Sequence, residues 1–485
     1  MEKKMPELDD LGQNAMLNEL AERLAEFGVT RRLFMKGAAA AGLLAAMGPY
    51  AAEAKGVDAK GNVVIIGAGA AGLSVAVRLS KRLRNAKITL IDPAERQYYQ
   101  PGFTLIAAGV YQPDEVFKLQ KDLIPRAKGV KWIKKAVVAL DPDKKKVSLA
   151  GGESVDYDFL VLTPGIQMRW EEIQGISFKT LGTGNAHSIY AFEGAQRTRD
   201  AMAAFSKKGG VGIFTDTYTK HKCGGAPKKV CLLTEHQFRK NKTREKATFK
   251  YFTGSKDLYD VPFFTPRLKE IYKERNIPFT VKTRLTAVDT AAKKAYFEKT
   301  EKVVREVKNP QTGKIEKVES SRKVKFTEEY DFLHFAPPQG TPDFVRKSGL
   351  GWREGKLARD GWVEVDKYTL VHRVYPNVIS LGDAAGIPTS KTSAAARIQI
   401  PIAVENLCAL MEGKAPTAKY NGYAACPIVT DYGHVLLAEF DYDKKPCISF
   451  PFSLLDMSME QRAAWWLKVY VLKPLFFYGM LNGWA

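Results

Sequence analysis

Cysteine is scarce in this chain. Five are present in 485 residues, at Cys223, Cys231, Cys408, Cys426 and Cys447. The number is odd, and no two stand as C-x-x-C. A disulfide-stapled fold, a cysteine zinc site and covalent haem attachment are therefore excluded, and no metal is expected. Acidic residues are also short, 53 against 74 lysines and arginines, for a formal net charge of +21. Such an excess points to nucleic acid or to an anionic surface. No nucleic-acid motif is present, so an anionic membrane or substrate is the reading kept. Much of the excess lies in Arg239 to Lys250 and Lys302 to Lys325, which read as solvated loops. The apolar stretches at the two ends are each too short to span a bilayer. The rest is ordinary: 45% hydrophobic and 26% charged, in a chain long enough for two or three domains.

What is present begins at Asn62. Asn62 to Ile66 is an apolar, β-branched run that reads as a buried parallel strand. Gly67-Ala68-Gly69-Ala70-Ala71-Gly72 follows, then a helix over Leu73 to Leu83 and a second strand over Lys87 to Ile91 that ends on Asp92. This is the dinucleotide-binding pattern in its required setting. Gly67 permits the tight turn, Gly69 lets backbone approach a pyrophosphate, and Gly72 lets helix and strand pack closely. The helix start, with Ala70 and Ala71, offers N–H groups to phosphate, and Asp92 can accept from an adenosine ribose. No C-x4-C pair follows this turn, which disfavours a disulfide reductase.

The stretch Arg96 to Gly102, including Gln100, is aromatic and turn-rich. It reads either as a loop over the cofactor or as a packed surface loop. Short strands follow at Val130 to Ile133, Ala136 to Leu140 and Lys146 to Leu149. Tyr157 to Gly165 is a strand running into the turn Thr163-Pro164-Gly165. Residues 195–340 read as a second α/β domain inserted in the first. Its first strand, Gly210 to Thr215, continues as Thr215-Asp216-Thr217-Tyr218 where a nicotinamide domain needs glycines. That argues against NADH or NADPH as reductant. Cys223 follows at a strand-to-helix junction, where a helix N-terminus would favour its thiolate; a buried inert thiol is the other reading. Cys231 and Cys408 read as core. Cys426, followed by Pro427, reads as extended before a turn. Asn377 to Asp383 is a strand ending in Gly382-Asp383, and Pro388 to Thr392, with Lys391, leads into a helix from Ser393.

The two ends differ in character. Thr30-Arg31-Arg32-Leu33-Phe34-Met35-Lys36, the Ala-rich segment Gly37 to Met47 and Ala52-Glu53-Ala54 read as a twin-arginine export signal with a cleavage site, which sets residues 1–54 aside from the fold. At the other end, Trp465, Trp466, Val469, Tyr470 and Leu472 share a helical segment with Arg462, Lys468 and Lys473, which Pro474 breaks. That composition fits a helix lying in a membrane interface, a dimer contact or a core helix.

Lys222-Cys223-Gly224-Gly225-Ala226-Pro227, Pro388-Thr389-Ser390-Lys391-Thr392, Cys426-Pro427-Ile428-Val429-Thr430 and Leu437-Ala438-Glu439-Phe440-Asp441-Tyr442 together resemble the sulfide:quinone oxidoreductase family, in the branch that includes the mitochondrial enzymes. The resemblance covers roughly residues 60–485. It implies an α/β flavoprotein with two dinucleotide folds: FAD-binding segments at 55–195 and 341–435, a second Rossmann-like domain at 196–340 and a membrane-attaching region at 436–485. It implies that Thr163 and Gly165 carry the chain out of the flavin domain and that Asp383 holds the ribityl chain with Gly382 allowing close approach; Lys391 reads either as stabilising negative charge on the reduced ring or as a surface lysine near a helix cap. Cys223 and Cys426 fall on the family's redox pair, Cys426 as persulfide carrier and Cys223 as the thiolate facing flavin. The implied partners are sulfide, a quinone and the membrane surface, with self-association common among such relatives. Ala384 stands where many relatives carry a third cysteine. The export signal implies the periplasmic face of a bacterial inner membrane. A flavocytochrome c sulfide dehydrogenase subunit shares the build, but Arg96 to Gly109 lacks the cysteine that attaches flavin there. A type II NADH dehydrogenase would need the missing second glycine turn. A non-catalytic flavoprotein carrier would not need the cysteine pair.

Overall fold

The computed structural model describes residues 56–308, 315–449 and 452–484. The twin-arginine motif at Arg31-Arg32 and the Ala52-Glu53-Ala54 site lie outside the described residues. The chain forms two compact units. One takes the described residues up to Gly102, Tyr111–Gln167 and those from Gly340 onward; the other takes Phe103–Val110 and Met168–Gln339.

The first unit is built on a five-stranded parallel sheet. Its order is Val378–Ser380, Phe159–Leu162, Val57–Ile66, Leu83–Ile91, Lys131–Ile133. The central strand is the apolar run that opens the dinucleotide motif. Val63 and Ile65 are wholly buried, each worth about 1.5–3 kcal/mol of hydrophobic burial. The following helix spans Ala70–Arg82, three residues earlier than expected, because Gly69 already acts as its N-cap. Arg96–Tyr98, expected in a loop, is instead a strand paired with Phe117–Leu119. Ser393–Met411 is a helix whose N-cap Thr392 side chain accepts from Ala395 N at 3.1 Å. Among the described residues it alone is long and apolar enough to cross a membrane. Its first turn, however, lines the cleft described below.

Two expectations for this unit are corrected. Cys426 does not precede a turn. It lies inside the strand Ala424–Asp431, paired to Ala438 of the strand His434–Phe440, and Pro427 continues that strand opposite Leu437. Nor does Pro474 break the C-terminal helix. Helical turns follow one another from Arg462 to Asn482, with π-turns at Leu467–Val471 and Leu475–Gly479 on either side of it. Widened turns of this kind absorb a proline's missing N–H. The two lysines read as interfacial are buried: Lys468 Nζ donates to Pro101 O at 2.9 Å, and Lys473 pairs with Glu115 at 3.0 Å. Phe476 and Phe477 pack on Tyr99, with ring centroids 5.3 and 6.4 Å away.

The second unit repeats the parallel architecture, in the order Ala186–His187, Phe332–Phe335, Gly210–Thr215, Ala247–Phe252, Phe279–Thr280. The described residues of the basic segment 302–325 are not loop. They belong to a hairpin of Lys294–Lys308 and Ile315–Glu329, whose charges pair across strands, as Arg322 with Glu301 and Lys323 with Glu298, both at 3.0 Å. His187 and His334 are register partners on adjacent strands. Both are buried, and three of their four ring nitrogens lack a partner.

Desolvation, with Arg197 as a smaller cause for His187 and His187 for His334, pushes these imidazoles down from 6.5, to about 4 and about 3. The unfolded chain takes up protons near 6.5 and the folded chain does not. The stability these groups permit is therefore complete above that pH and is lost as pH falls from 6.5 toward 4. For His187 the loss reaches roughly 3 kcal/mol. The urea midpoint should drop steeply between pH 7 and pH 5, and His187→Phe should flatten that slope. An equal slope in the variant would assign the acid sensitivity to other groups.

Candidate active site

In the first unit, three separate segments meet at the start of the Ala70–Arg82 helix. Gly67 has φ +94°, and a Cβ there would fall 2.3 Å from Thr163 O. A Cβ on Gly72 would fall 1.8 Å from Gly67 O, so helix and strand touch backbone to backbone. A Cβ on Gly69 would meet nothing within 4 Å; this is the open side of the turn. Thr163 Oγ1 donates to Ile66 O at 2.9 Å, tying the Thr163–Gly165 turn to the motif strand, and Gly165 itself has φ +72°. From far along the chain, Gly382 (φ +69°) arrives so close that its Cβ would lie 3.3 Å from that of Ala71.

Asp92 accepts from Ala68 N at 2.6 Å and from Ala94 N at 2.7 Å. Burial raises its carboxyl above the ordinary carboxylate value, and these two backbone bonds oppose the rise. Each oxygen keeps a lone pair for a further donor. Lys391 is buried, donates to Asp383 O at 2.6 Å and Ala385 O at 2.8 Å, and stands 3.8 Å above the Trp362 ring. Gly382, Ile387, Thr389, Lys391 and Gln399 are among the residues lining a narrow cleft. Gln100 is exposed in a 3-10 turn after the Arg96–Tyr98 strand.

Some residues here escape sequence reasoning. Gln120 Nε2 donates to Ala68 O at 2.8 Å, beneath the glycine turn. Gln399 Oε1 accepts from Gly382 N at 2.8 Å, and Trp362 floors the lysine. A glutamine set between two isoleucines, Ile398-Gln399-Ile400, is the available signal for Gln399.

In the second unit, the strand Gly210–Thr215 ends where a nicotinamide domain would cradle phosphate. Here Asp216 and Lys228 form a buried ion pair at 3.0 Å. Thr253 Oγ1 (2.9 Å) and Gly254 N (3.0 Å) also donate to Asp216. A Cβ on Gly254 would come within 2.7 Å of Tyr218 Cα, so backbone packs on backbone. Lys228 Nζ also donates to Gly224 O at 2.9 Å, which fixes the residue after Cys223. Cys223 itself has φ +80°, a left-handed conformation that costs a non-glycine residue of order 1 kcal/mol or more and occurs preferentially at functional positions. Its carbonyl accepts from Ala226 N at 2.7 Å, at the entry to the helix Ala226–Lys240. Lys229, buried, brings its Nζ to 3.4 Å from Cys223 Sγ, so a negative charge on that sulfur has a counter-ion in contact. Cys231, Cys408 and Cys447 lie in different surroundings. Cys231 is wholly buried and burial pushes its thiol up; burial likewise raises Cys408 to about 11 and Cys447 to about 12.

A complete dinucleotide turn in one parallel domain, and a strained cysteine loop in place of the second, define an FAD-dependent oxidoreductase of the two-dinucleotide-domain class. The first unit fits FAD on its own geometry: an open Gly69 side, an acid beyond the second strand, and Gly382 drawn against Ala71. Residues 61–204 match the family model described as pyridine nucleotide-disulphide oxidoreductase. The chain is 35% identical over 422 residues to the mitochondrial sulfide:quinone oxidoreductase of Dictyostelium discoideum, covering 87% of this chain and 86% of that protein. To the mitochondrial sulfide:quinone oxidoreductase of Mus musculus it is 33% identical over 425 residues, with coverage of 87% and 86%. The crystal structure of the sulfide:quinone oxidoreductase from Aquifex aeolicus shares the fold, at a TM-score of 0.67 and 19% identity over 87% of this chain and 92% of that one. This chain belongs to the sulfide:quinone oxidoreductase family.

Proposed function

We propose that the chain withdraws two electrons from sulfide through Cys223 and Cys426 and passes them by way of FAD to a membrane quinone. The observation that carries the reading is the Cys223 loop: a left-handed cysteine with a buried ammonium at its sulfur, held by an ion pair where a second nucleotide's phosphates would sit.

In the oxidised state a Cys223–Cys426 disulfide, or its sulfur-bridged equivalent, would be the electrophile, and hydrosulfide would attack Sγ of Cys426. The S–S bond breaks, Cys426 carries the persulfide, and Cys223 leaves as a thiolate with Lys229 as counter-ion. The outer sulfur then passes to a nucleophilic acceptor, a thiol or a second sulfide, which leaves two cysteine thiolates. These return to the disulfide by giving up two electrons, for which bound FAD is the two-electron acceptor. A quinone takes the same two electrons with two protons. Gly67, Gly69, Ala70, Ala71, Gly72 and Asp92 would hold the adenosine diphosphate part of FAD. Gln100, Thr163, Gly165, Gly382 and Asp383 would border the rest. Lys391 would place positive charge beside the ring.

Sulfide added without oxygen should bleach the oxidised flavin, and a short-chain quinone should restore it. NADH should leave the flavin oxidised, because Asp216 and Lys228 fill the ground its phosphates need. Reoxidation by cytochrome c and not by quinone would instead mean a flavocytochrome subunit, and rapid bleaching by NADH would refute the reading of the second unit.

We further propose that the protein works on the periplasmic face of a bacterial inner membrane, exported through Arg31-Arg32 and attached through its C-terminal region. The two relatives above are named as mitochondrial. Support for export comes from the order twin arginine, Ala-rich segment, A-x-A. Support for attachment comes from Leu454, Leu455 and Met459, exposed by 74%, 43% and 41%. Replacing both Arg31 and Arg32 by Lys should trap the protein in the cytoplasm of a bacterial host; unchanged periplasmic recovery would dismiss the signal.

A further inference from the structure

Three cations close on one turn in the first unit. Lys81 Nζ donates to Asn482 O at 3.0 Å. Arg126 Nη1 donates to Asn482 Oδ1 at 3.0 Å and to Phe477 O at 3.2 Å. Arg78, one helical turn before Lys81, lies so near that a Cβ on Gly483 would be 3.0 Å from its Cγ. Next to them Lys118 Nζ donates to Tyr478 OH at 2.7 Å and stands 4.0 Å from that ring's centroid.

Arg78 is the anomaly. Among the described residues it has neither a hydrogen bond nor an ion pair, and its Nε is buried without a partner. Arg126 forms no ion pair among those residues either, although the charge of Asp122 acts on it from farther off and opposes the effect of burial. Burial lowers the Arg78 guanidinium from 12.5 to about 10 and lowers Arg126 in the same direction. A guanidinium partly withdrawn from water with no counter-ion in contact is unfavourable, and an anion supplied from outside the chain offsets that cost.

We propose that Arg78 and Arg126 hold the phosphate of an anionic phospholipid headgroup against the Tyr478–Trp484 turn. Guanidinium matches phosphate geometry. The half-buried Tyr478 and Trp484 beside these cations are the residue types that sit at headgroup depth. Free phosphate shares the chemistry, but the aromatic flank has nothing to offer it. The proposal rests on the membrane reading above and adds a specific lipid contact to it.

The test uses purified, flavin-loaded protein sedimented with phosphatidylcholine vesicles, and with vesicles that also carry phosphatidylglycerol. Wild type should partition more strongly onto the anionic vesicles. Arg78→Gln and Arg126→Gln should each lose about fivefold of that preference while binding phosphatidylcholine vesicles as wild type does. Lys207→Gln, at an exposed lysine of the other unit, should lose far less. Monomeric short-chain phosphatidylglycerol should raise the wild-type melting temperature and not that of Arg78→Met; inorganic phosphate should move neither. Equal losses in all three variants would overturn the proposal and leave general charge attraction. A shift with inorganic phosphate would overturn it in favour of a simple anion site. Equal vesicle binding by wild type and variants would overturn it while membrane attachment stands. Failure of wild type to bind either vesicle would remove both.

Discussion

Cys426→Ser protein should hold its flavin, and that flavin should stay oxidised when sulfide is added; turnover should fall by at least about three orders of magnitude. The residue is wholly buried within a paired strand, so the loss is chemical. Serine keeps the size and backbone, and leaving its hydroxyl unpaired costs only about 1–3 kcal/mol. A hydroxyl cannot carry a persulfide or return to a disulfide. Cys223→Ser should fail to the same degree for a different reason: no sulfur remains beside Lys229 to become a thiolate. If the two sulfurs act as one unit, the double variant should be no worse than either single one. Stopped-flow flavin reduction measures all three. A single variant that keeps a tenth of the wild-type rate would remove the two-cysteine relay.

The second large effect separates folding from cofactor binding within one motif. Gly72→Ala places a methyl 1.8 Å from Gly67 O and 2.6 Å from Thr163 Oγ1. Backbone cannot yield as a flexible side chain can, so the helix must move off the sheet, at a cost at or above the roughly 1–3 kcal/mol typical of overpacking. Gly69→Ala meets no protein atom within 4 Å, yet its methyl stands where a pyrophosphate must come close. Both variants should purify largely without flavin. Only Gly72→Ala should also melt well below the flavin-free wild type. The flavin-to-protein absorbance ratio and thermal unfolding of the stripped proteins report the two effects. If Gly69→Ala retains full flavin, the phosphates do not approach there.

The dinucleotide motif was legible because its physics is local. An apolar run, three glycines with distinct tasks and an acid after the next strand lie within about thirty residues, and each demand is visible in a side chain or its absence. The Cys223 loop was legible for a related reason, the lack of glycines after Thr215. What holds it was not: Asp216 meets Lys228 only once the helix has folded back, and Lys229 reaches the sulfur from inside that helix. The strand around Cys426 is hidden in the sequence because Pro427 is a turn signal there, yet in the fold it continues the strand. At the C-terminus, Pro474 and two lysines beside aromatics suggested a broken interfacial helix. The proline is absorbed by π-turns, and the lysines satisfy Pro101 and Glu115, partners more than 350 positions away that no window of sequence contains.

The most direct test of the relay is to find the sulfur. The oxidised protein would receive one equivalent of sulfide without oxygen or quinone, be alkylated at once, digested, and read by mass spectrometry. The relay requires one added sulfur on the Cys426 peptide and an alkylated thiol at Cys223. Added sulfur on Cys223 would reverse the two roles. Sulfur on neither, with the flavin nonetheless reduced, would contradict the relay outright.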